Sequence, residues 1–107
     1  PVQNPAPFDI APMGDHVCQF FLRVTVADRP GVLASIAKVL GDADISIDSV
    51  LQKDSDVENQ SADLVIMTHP AQEAKMQDAV SSLRQLEAVV RLDSLLRVET
   101  YPNRSNV

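Results

Sequence analysis

Residues 20–40 read FFLRVTVADRPGVLASIAKVL, and this stretch joins a strand pattern directly to a helix pattern. Its first half has apolar side chains at every second position of residues 20–26, which predicts a strand with one buried face. Its second half has apolar residues at helical spacing over residues 32–40, which predicts an amphipathic helix. The six residues of the corner between them, DRPGVL at 28–33, are the most informative part of the chain.

This corner sets a proline with a fixed φ and a glycine without a side chain at the start of a helix. Free N–H groups at a helix N-terminus can bind the carboxylate of a small molecule. The same residues also suit a turn that binds nothing, because proline fits the first helical position and Asp28 can cap a free N–H group. The local sequence leaves both interpretations open.

The rest of the chain contains three further strand patterns and one further helix pattern. Strands are predicted at 45–52, 62–68 and 89–98, and a second helix at 70–86. The polar run 53–61 predicts a solvated hairpin loop, and apolar residues on both faces of 62–68 predict a central strand. The order strand–helix–strand–strand–helix–strand predicts an α+β, ferredoxin-like βαββαβ fold with two helices on one face of a four-stranded antiparallel sheet.

The composition predicts three segments. Four prolines among the first twelve residues predict a linker or arm over 1–17, followed by one domain over 18–99 and a polar tail over 100–107. On the sheet face away from the helices, the alternation places Phe21, Val65, Met67 and Leu95, which indicate a partner surface.

Charge and cysteine content exclude several classes of function. A net charge of -6 with scattered basic residues argues against a nucleic-acid partner. No apolar run approaches the roughly 20 residues of a membrane helix, so we expect a cytoplasmic protein without a membrane partner. The single cysteine, Cys18, is expected to be a small buried side chain, and His16 beside it makes only half a metal site. We therefore predict no metal ligands and no catalytic residues.

Two runs of this chain resemble a known family. FFLRVTVADRPGVLASIAKVLGDADISIDSVLQKD (20–54) and ADLVIMTHPAQEAKMQDAV (62–80) resemble the ACT domain, a small ligand-sensing module of amino-acid metabolism. The combination of DISIDSVLQK (44–53) with ADLVIMTHPAQEA (62–74) is similar to the C-terminal ACT domains of homoserine dehydrogenases.

The resemblance implies a non-catalytic regulatory domain. Its parent enzyme would depend on NAD(P), and this chain would hold no cofactor itself. The implied function is an allosteric feedback sensor, with L-threonine as the amino-acid effector. The implied partners are a second copy of the chain, bound through sheet edges or helices, and the catalytic domain of the parent enzyme.

The resemblance also implies where the effector binds. One wall is the corner, here Asp28, Arg29, Pro30, Gly31, Val32 and Leu33, and the other is the start of the second strand, here Asp44, Ile45 and Ser46. Asp28 or Asp44 would hold the ammonium group, and Ser46 or Gln52 would contact a side-chain hydroxyl. Many ligand-binding members have Asn where this chain has Asp44.

Two alternatives remain open. The substitution at Asp44 is compatible with a structural dimerisation module whose ligand site is silent. A small independent ferredoxin-like enzyme is disfavoured, because the sequence has no G-x-G-x-x-G fingerprint and its three glycines are dispersed.

Overall fold

The computed structural model describes residues 13–99, and within that range the chain forms five strands, two α-helices and one short 3-10 helix. In chain order they are the 3-10 helix (Met13–Asp15), β1 (Val17–Ala27), α1 (Val32–Asp42), β2 (Ile47–Asp56), β3 (Ser61–Thr68), β4 (Ala71–Gln72), α2 (Glu73–Gln85) and β5 (Val89–Val98). Residues 1–12 and 100–107, which include most of the predicted arm and the whole predicted tail, lie outside the described residues.

The four long strands form an antiparallel sheet in the order β2–β3–β1–β5. The two-residue strand β4 pairs with the first residues of β1. This arrangement confirms the ferredoxin-like prediction and the central position of β3, which lies between β2 and β1.

The core lies between the sheet and the two helices. Alternate residues of β1 and β3 contribute one side of it, and the apolar stripes of α1 and α2 contribute the other. The largest side chains with less than 2% exposure are mostly aliphatic; they are Phe20, Leu22, Val24, Ile36, Leu40, Ile66, Thr68, Met76 and Leu83. Burial of each large apolar side chain stabilises the fold by roughly 1.5–3 kcal/mol.

Strand β2 is longer than its pattern predicts. It continues to Asp56 and β3 begins at Ser61, so the predicted loop at 53–61 is wrong for residues 53–56 and 61, and the turn is limited to 57–60. Asp54, Ser55 and Asp56 pair with Asp63, Ala62 and Ser61. An edge strand can be polar because its backbone hydrogen bonds need no apolar side chains, and apolar periodicity therefore misses it.

The start of the second helix also differs from the prediction. Residues 71–72 form β4, and α2 begins at Glu73 instead of Pro70. The backbone N–H of Glu73 donates to the carbonyl oxygen of His16 at 2.8 Å. Pairing with the segment before β1 therefore extends the chain where a helical start is predicted.

Irregular pairing in β5 changes which of its side chains face outward. The register with β1 shifts between Leu92 and Ser94, so that Leu95 lies opposite the buried Leu22, and Leu96 lies opposite Phe21. The open face, which we define as the sheet face away from the helices, therefore carries Leu96 with Phe21, and the predicted placement of Leu95 is wrong. A β-bulge reverses the facing of every following residue because the side-chain period of a strand is two.

Within residues 13–99, neither helix has the length and apolar character needed to span a membrane.

Candidate ligand-binding site

The N-terminus of α1 is built on Gly31. This residue is the N-cap and has a φ of 87°, a left-handed conformation that L side chains rarely adopt. Among the described residues, no side chain caps this helix end, and the N–H and hydroxyl groups of Ser35 both donate to the carbonyl oxygen of Gly31. The first N–H groups of α1 are therefore left for water or a ligand, and Asp28 does not take the capping role that its sequence position allows.

A cavity of about 110 Å³ opens beside this helix end. The corner contributes one wall of it, and side chains of β2 and β3 contribute another. The lining residues are Val26, Ala27, Asp28, Arg29, Val32, Leu33, Gln52, Ala62 and Leu64. The site therefore combines free N–H groups, one exposed carboxylate and an apolar floor.

Two of the polar side chains around the cavity, those of Arg29 and Gln52, form hydrogen bonds with other side chains. The guanidinium of Arg29 donates to the carboxylate of Glu87, in the turn after α2. The amide nitrogen of Gln52 donates to Ser55 Oγ at 2.6 Å. The carboxylate of Asp28 is exposed, and the backbone N–H of Asp28 donates to the carbonyl oxygen of Gln60 at 2.9 Å.

The second predicted wall lies elsewhere in this subunit. Asp44 follows the C-terminus of α1, and the eleven residues of that helix separate it from Gly31 by roughly 16 Å. The side chain of Ile45 is in the core, and the carbonyl oxygen of Ser46 accepts a hydrogen bond from the N–H of His69. Within one subunit, four of the nine predicted residues therefore line the cavity (Asp28, Arg29, Val32 and Leu33), and Pro30 and Gly31 lie between them in the corner.

The carboxylate of Asp44 also forms an ion pair within the chain. Its carboxylate accepts a hydrogen bond from Lys75 Nζ at 2.7 Å, and this contact lowers the pKa of Asp44 below its ordinary value. Asp44 itself has a φ of 65°, so it closes the turn between α1 and β2 in a left-handed conformation.

Ala62 and Leu64 line the cavity and were missed by the sequence analysis. The signal for them is indirect: β3 runs between β1 and β2, and Leu64 pairs with Val24 on one side and with Gln52 on the other. Only the sheet register brings these residues under the corner.

A larger cavity, of about 180 Å³, lies at the turn end of β2 and β3. Three carboxylates line it, those of Asp54, Asp56 and Asp63. Arg91 also lines the cavity, but three carboxylates outnumber its one positive charge, so this cavity is a poorer candidate for the carboxylate of an amino acid.

Comparison with known proteins decides the family. The profile described as ACT domain matches residues 20–88, more than half of the chain. The chain belongs to the ACT domain family. As an ACT domain it is similar in fold alone to the ACT domain of a GTP pyrophosphokinase from Chlorobium tepidum, with a TM-score of 0.57 at 17% identity over 78% of this chain and all of that one.

Proteins named homoserine dehydrogenase are closer in sequence to this ACT domain. The protein from Methylobacillus glycogenes is 38% identical over 84% of this chain and 22% of its own length. The protein from Pseudomonas aeruginosa is 34% identical over 75% of this chain and 18% of its own length. The crystal structure of the enzyme from Thiobacillus denitrificans superposes with a TM-score of 0.75 at 33% identity, over 88% of this chain and 20% of that one. The ACT domain thus spans about a fifth of the length of these relatives.

Proposed function

We propose that this ACT domain is the regulatory domain of a homoserine dehydrogenase and that it binds L-threonine at the corner of residues 28–33. The observation that carries the proposal is the uncapped N-terminus of α1, which opens into a cavity beside an exposed carboxylate. The similarity to proteins named homoserine dehydrogenase supports the choice of parent enzyme.

The chemistry of the corner matches the two charges of an amino acid. The N–H groups of Val32 and Leu33 favour a carboxylate through hydrogen bonds and the helix dipole. The exposed carboxylate of Asp28 would accept a charge-assisted hydrogen bond from the ammonium group. Gln52, across the cavity, has an amide that can exchange its contact with Ser55 for the hydroxyl of threonine.

The position of the cavity supports a site completed by a second copy of the chain. The cavity borders β2, which is one of the two edge strands among the four long strands and whose residues beyond Ile47 are all exposed. Pairing of two such edges would cover the open side of the cavity and give a homodimer with two symmetric sites.

Regulation follows from the dimer. An effector held between two subunits favours one arrangement of the catalytic domains attached to them, and a coupling of about 1–3 kcal/mol is enough for feedback control. In this proposal the ACT domain carries no chemistry, and NAD(P) binds in the catalytic region of a cytoplasmic enzyme.

Calorimetric titration with L-threonine tests the proposal. L-Isoleucine, L-methionine, L-lysine and L-serine are the comparison ligands, and light scattering of the same samples gives the mass. We expect saturable binding of threonine alone, and a mass about twice the 11.7 kDa of the chain. Asp28→Asn is expected to weaken binding; if it changes only stability, Asp28 is a turn residue and not an ammonium ligand.

A structural dimerisation module with a silent site is the second candidate. The ion pair of Asp44 with Lys75 favours it, because Asp44 is then not free to bind an ammonium group. A dimer that binds none of the five amino acids would support this candidate.

A further inference from the structure

Three metal-ligating side chains lie together at the end of the sheet far from the corner. His16 immediately precedes β1, Cys18 is its second residue, and Glu99 immediately follows β5. The pairing of Gln19 with Val98 sets Glu99 opposite Cys18 on the same sheet face. His16 lies two residues before Cys18, so an extended chain points both side chains the same way.

The ligand atoms are close enough to share one ion. His16 Nε2 and Glu99 Oε2 are 3.0 Å apart, and all three ligand atoms, including Cys18 Sγ, lie within 4.8 Å of one another. Ligands of a tetrahedral zinc ion, at bond lengths of about 2.0–2.3 Å, are roughly 3.3–3.8 Å apart. Small side-chain rotations would therefore complete the geometry without moving the strands.

The charges around the cluster also favour a cation. Burial is the largest cause that raises the pKa of the Cys18 thiol, and the carboxylates of Glu99 and Glu73 raise it further, while Arg97 opposes them, so a metal ion must displace the thiol proton to bind the sulfur. Arg97 and Glu73 pair with each other, with hydrogen bonds of 2.7 and 3.0 Å, so their opposite charges largely cancel and the carboxylate of Glu99 supplies the negative charge at the cluster. A thiolate at Cys18 and the carboxylate of Glu99 would together match the charge of a divalent ion.

We propose that His16, Cys18 and Glu99 form a binding site for a thiophilic divalent metal ion, of which Zn²⁺ is the best match. One sulfur, one imidazole nitrogen and one carboxylate oxygen are zinc ligands, whereas Mg²⁺ and Ca²⁺ prefer oxygen alone. The side chains of His16 and Glu99 are 38% and 52% exposed, which leaves a fourth position accessible to water or another ligand. The bound ion would link the start of β1 to the end of β5.

The competing explanation is an ion pair beside a packed cysteine. In that case the contact between His16 and Glu99 holds the two strand ends by itself, and Cys18 only fills space in the core. The two explanations differ in whether sulfur bonds to a metal, which can be measured directly.

Titration of the reduced chain with Zn²⁺ and Co²⁺ tests the proposal. We expect one Zn²⁺ per chain, a rise in Tm on binding, and release of a proton because the thiol must ionise. Co²⁺ should give a sulfur-to-metal charge-transfer band in the near ultraviolet. His16→Gln and Glu99→Gln should each weaken Zn²⁺ binding by more than about tenfold, since even loss of an outer-shell partner costs 10–100-fold.

His69→Gln and Glu58→Gln are the matched controls, because both side chains are exposed and lie outside the cluster. They should leave Zn²⁺ affinity unchanged, and unfolding without metal should show that all four variants are folded. Absence of saturable Zn²⁺ binding would overturn the proposal. So would a Co²⁺ complex without the thiolate band, or equal affinity in the two cluster variants and their controls.

Discussion

Gly31 is the N-cap of α1 and Gly41 is a residue of the helix, and the two glycines have different backbone conformations. Gly31 has a φ of 87°, and Gly41 lies within the helix. A Cβ added at either position would meet nothing within 4 Å. Steric crowding therefore cannot distinguish them, and any difference between their alanine variants comes from their backbone conformations.

Gly31→Ala is expected to destabilise the fold by about 1–2 kcal/mol, the cost of a left-handed conformation for an L residue. It should also weaken the proposed binding of threonine, because relaxation of the strain moves the N–H groups of Val32 and Leu33. Gly41→Ala should instead stabilise the fold by about 0.4–1 kcal/mol, since alanine favours the helix and restricts the unfolded chain. Urea unfolding and calorimetry measure both effects, and a fully stable Gly31→Ala would contradict the assigned conformation.

Thr68 is a buried polar residue with a defined structural role. Its hydroxyl oxygen accepts a hydrogen bond at 3.0 Å from the N–H of Phe20, the residue just before the register of β1 with β3 begins at Phe21. The Thr68 hydroxyl thus serves, in place of a backbone carbonyl, as the acceptor for the N–H of Phe20 where the pairing of β1 with β3 ends.

Thr68→Val should lower the free energy of unfolding by about 1–3 kcal/mol, because the N–H of Phe20 loses its partner in the core. Thr25→Val is the control: its hydroxyl donates to Asp93 at an exposed site, and its loss should cost less than about 0.5 kcal/mol. If urea unfolding gives the same loss of free energy of unfolding for both variants, the Thr68 hydroxyl does not contribute specially to stability.

At the scale of elements, α2 is attached to β5 by one buried carboxylate. Glu73, the first residue of the helix, is 5% exposed and accepts hydrogen bonds from Arg97 and Gln77. The contact with Arg97 is the largest cause that lowers the pKa of Glu73 from 4.5, and burial partly opposes it. The sequence places Glu73 in the first helical turn, but the partner on β5 follows only from the register.

The Glu73 carboxylate makes stability depend on pH. Its pKa is lower in the folded state, so its stabilising effect is complete above the unfolded value near 4.5 and disappears as pH falls through the folded value. Glu73→Gln should therefore be less stable than the natural chain at pH 7, and the difference should shrink under acid conditions.

Urea unfolding at a series of pH values, with a chelator present, measures that difference. Glu58→Gln, in the exposed turn between β2 and β3, is the control for replacing a glutamate that is not buried. If the difference in free energy of unfolding between Glu73→Gln and the natural chain stays constant with pH, the ionised carboxylate does not have this role.

At the scale of the whole molecule, β2 is an unpaired edge with an apolar residue near its middle. Leu51 is 61% exposed and lies opposite Val65 on the open face. If two β2 strands pair antiparallel about a two-fold axis, residues near the middle of one strand face their counterparts in the other.

Leu51→Lys should therefore shift the proposed dimer toward the monomer, because like charges meet across the edge. Val57→Lys is the control: Val57 is 87% exposed but lies in the turn, outside the strand. Light scattering over a range of concentrations distinguishes them, and an equally stable dimer in both variants would argue for another interface.

The sequence by itself determined the order of elements, the buried stripes of β1, α1 and α2, the central position of β3 and the corner that opens at α1. These features are local, because periodicity and the residues of a turn act within a few positions of one another. The tertiary structure alone decided which face Leu96 occupies, that Gln52 rather than Asp44 borders the corner, and that Glu99 joins His16 and Cys18. Each of these depends on strand register and on a bulge, which are set by contacts between distant residues and leave no periodic signal in the chain.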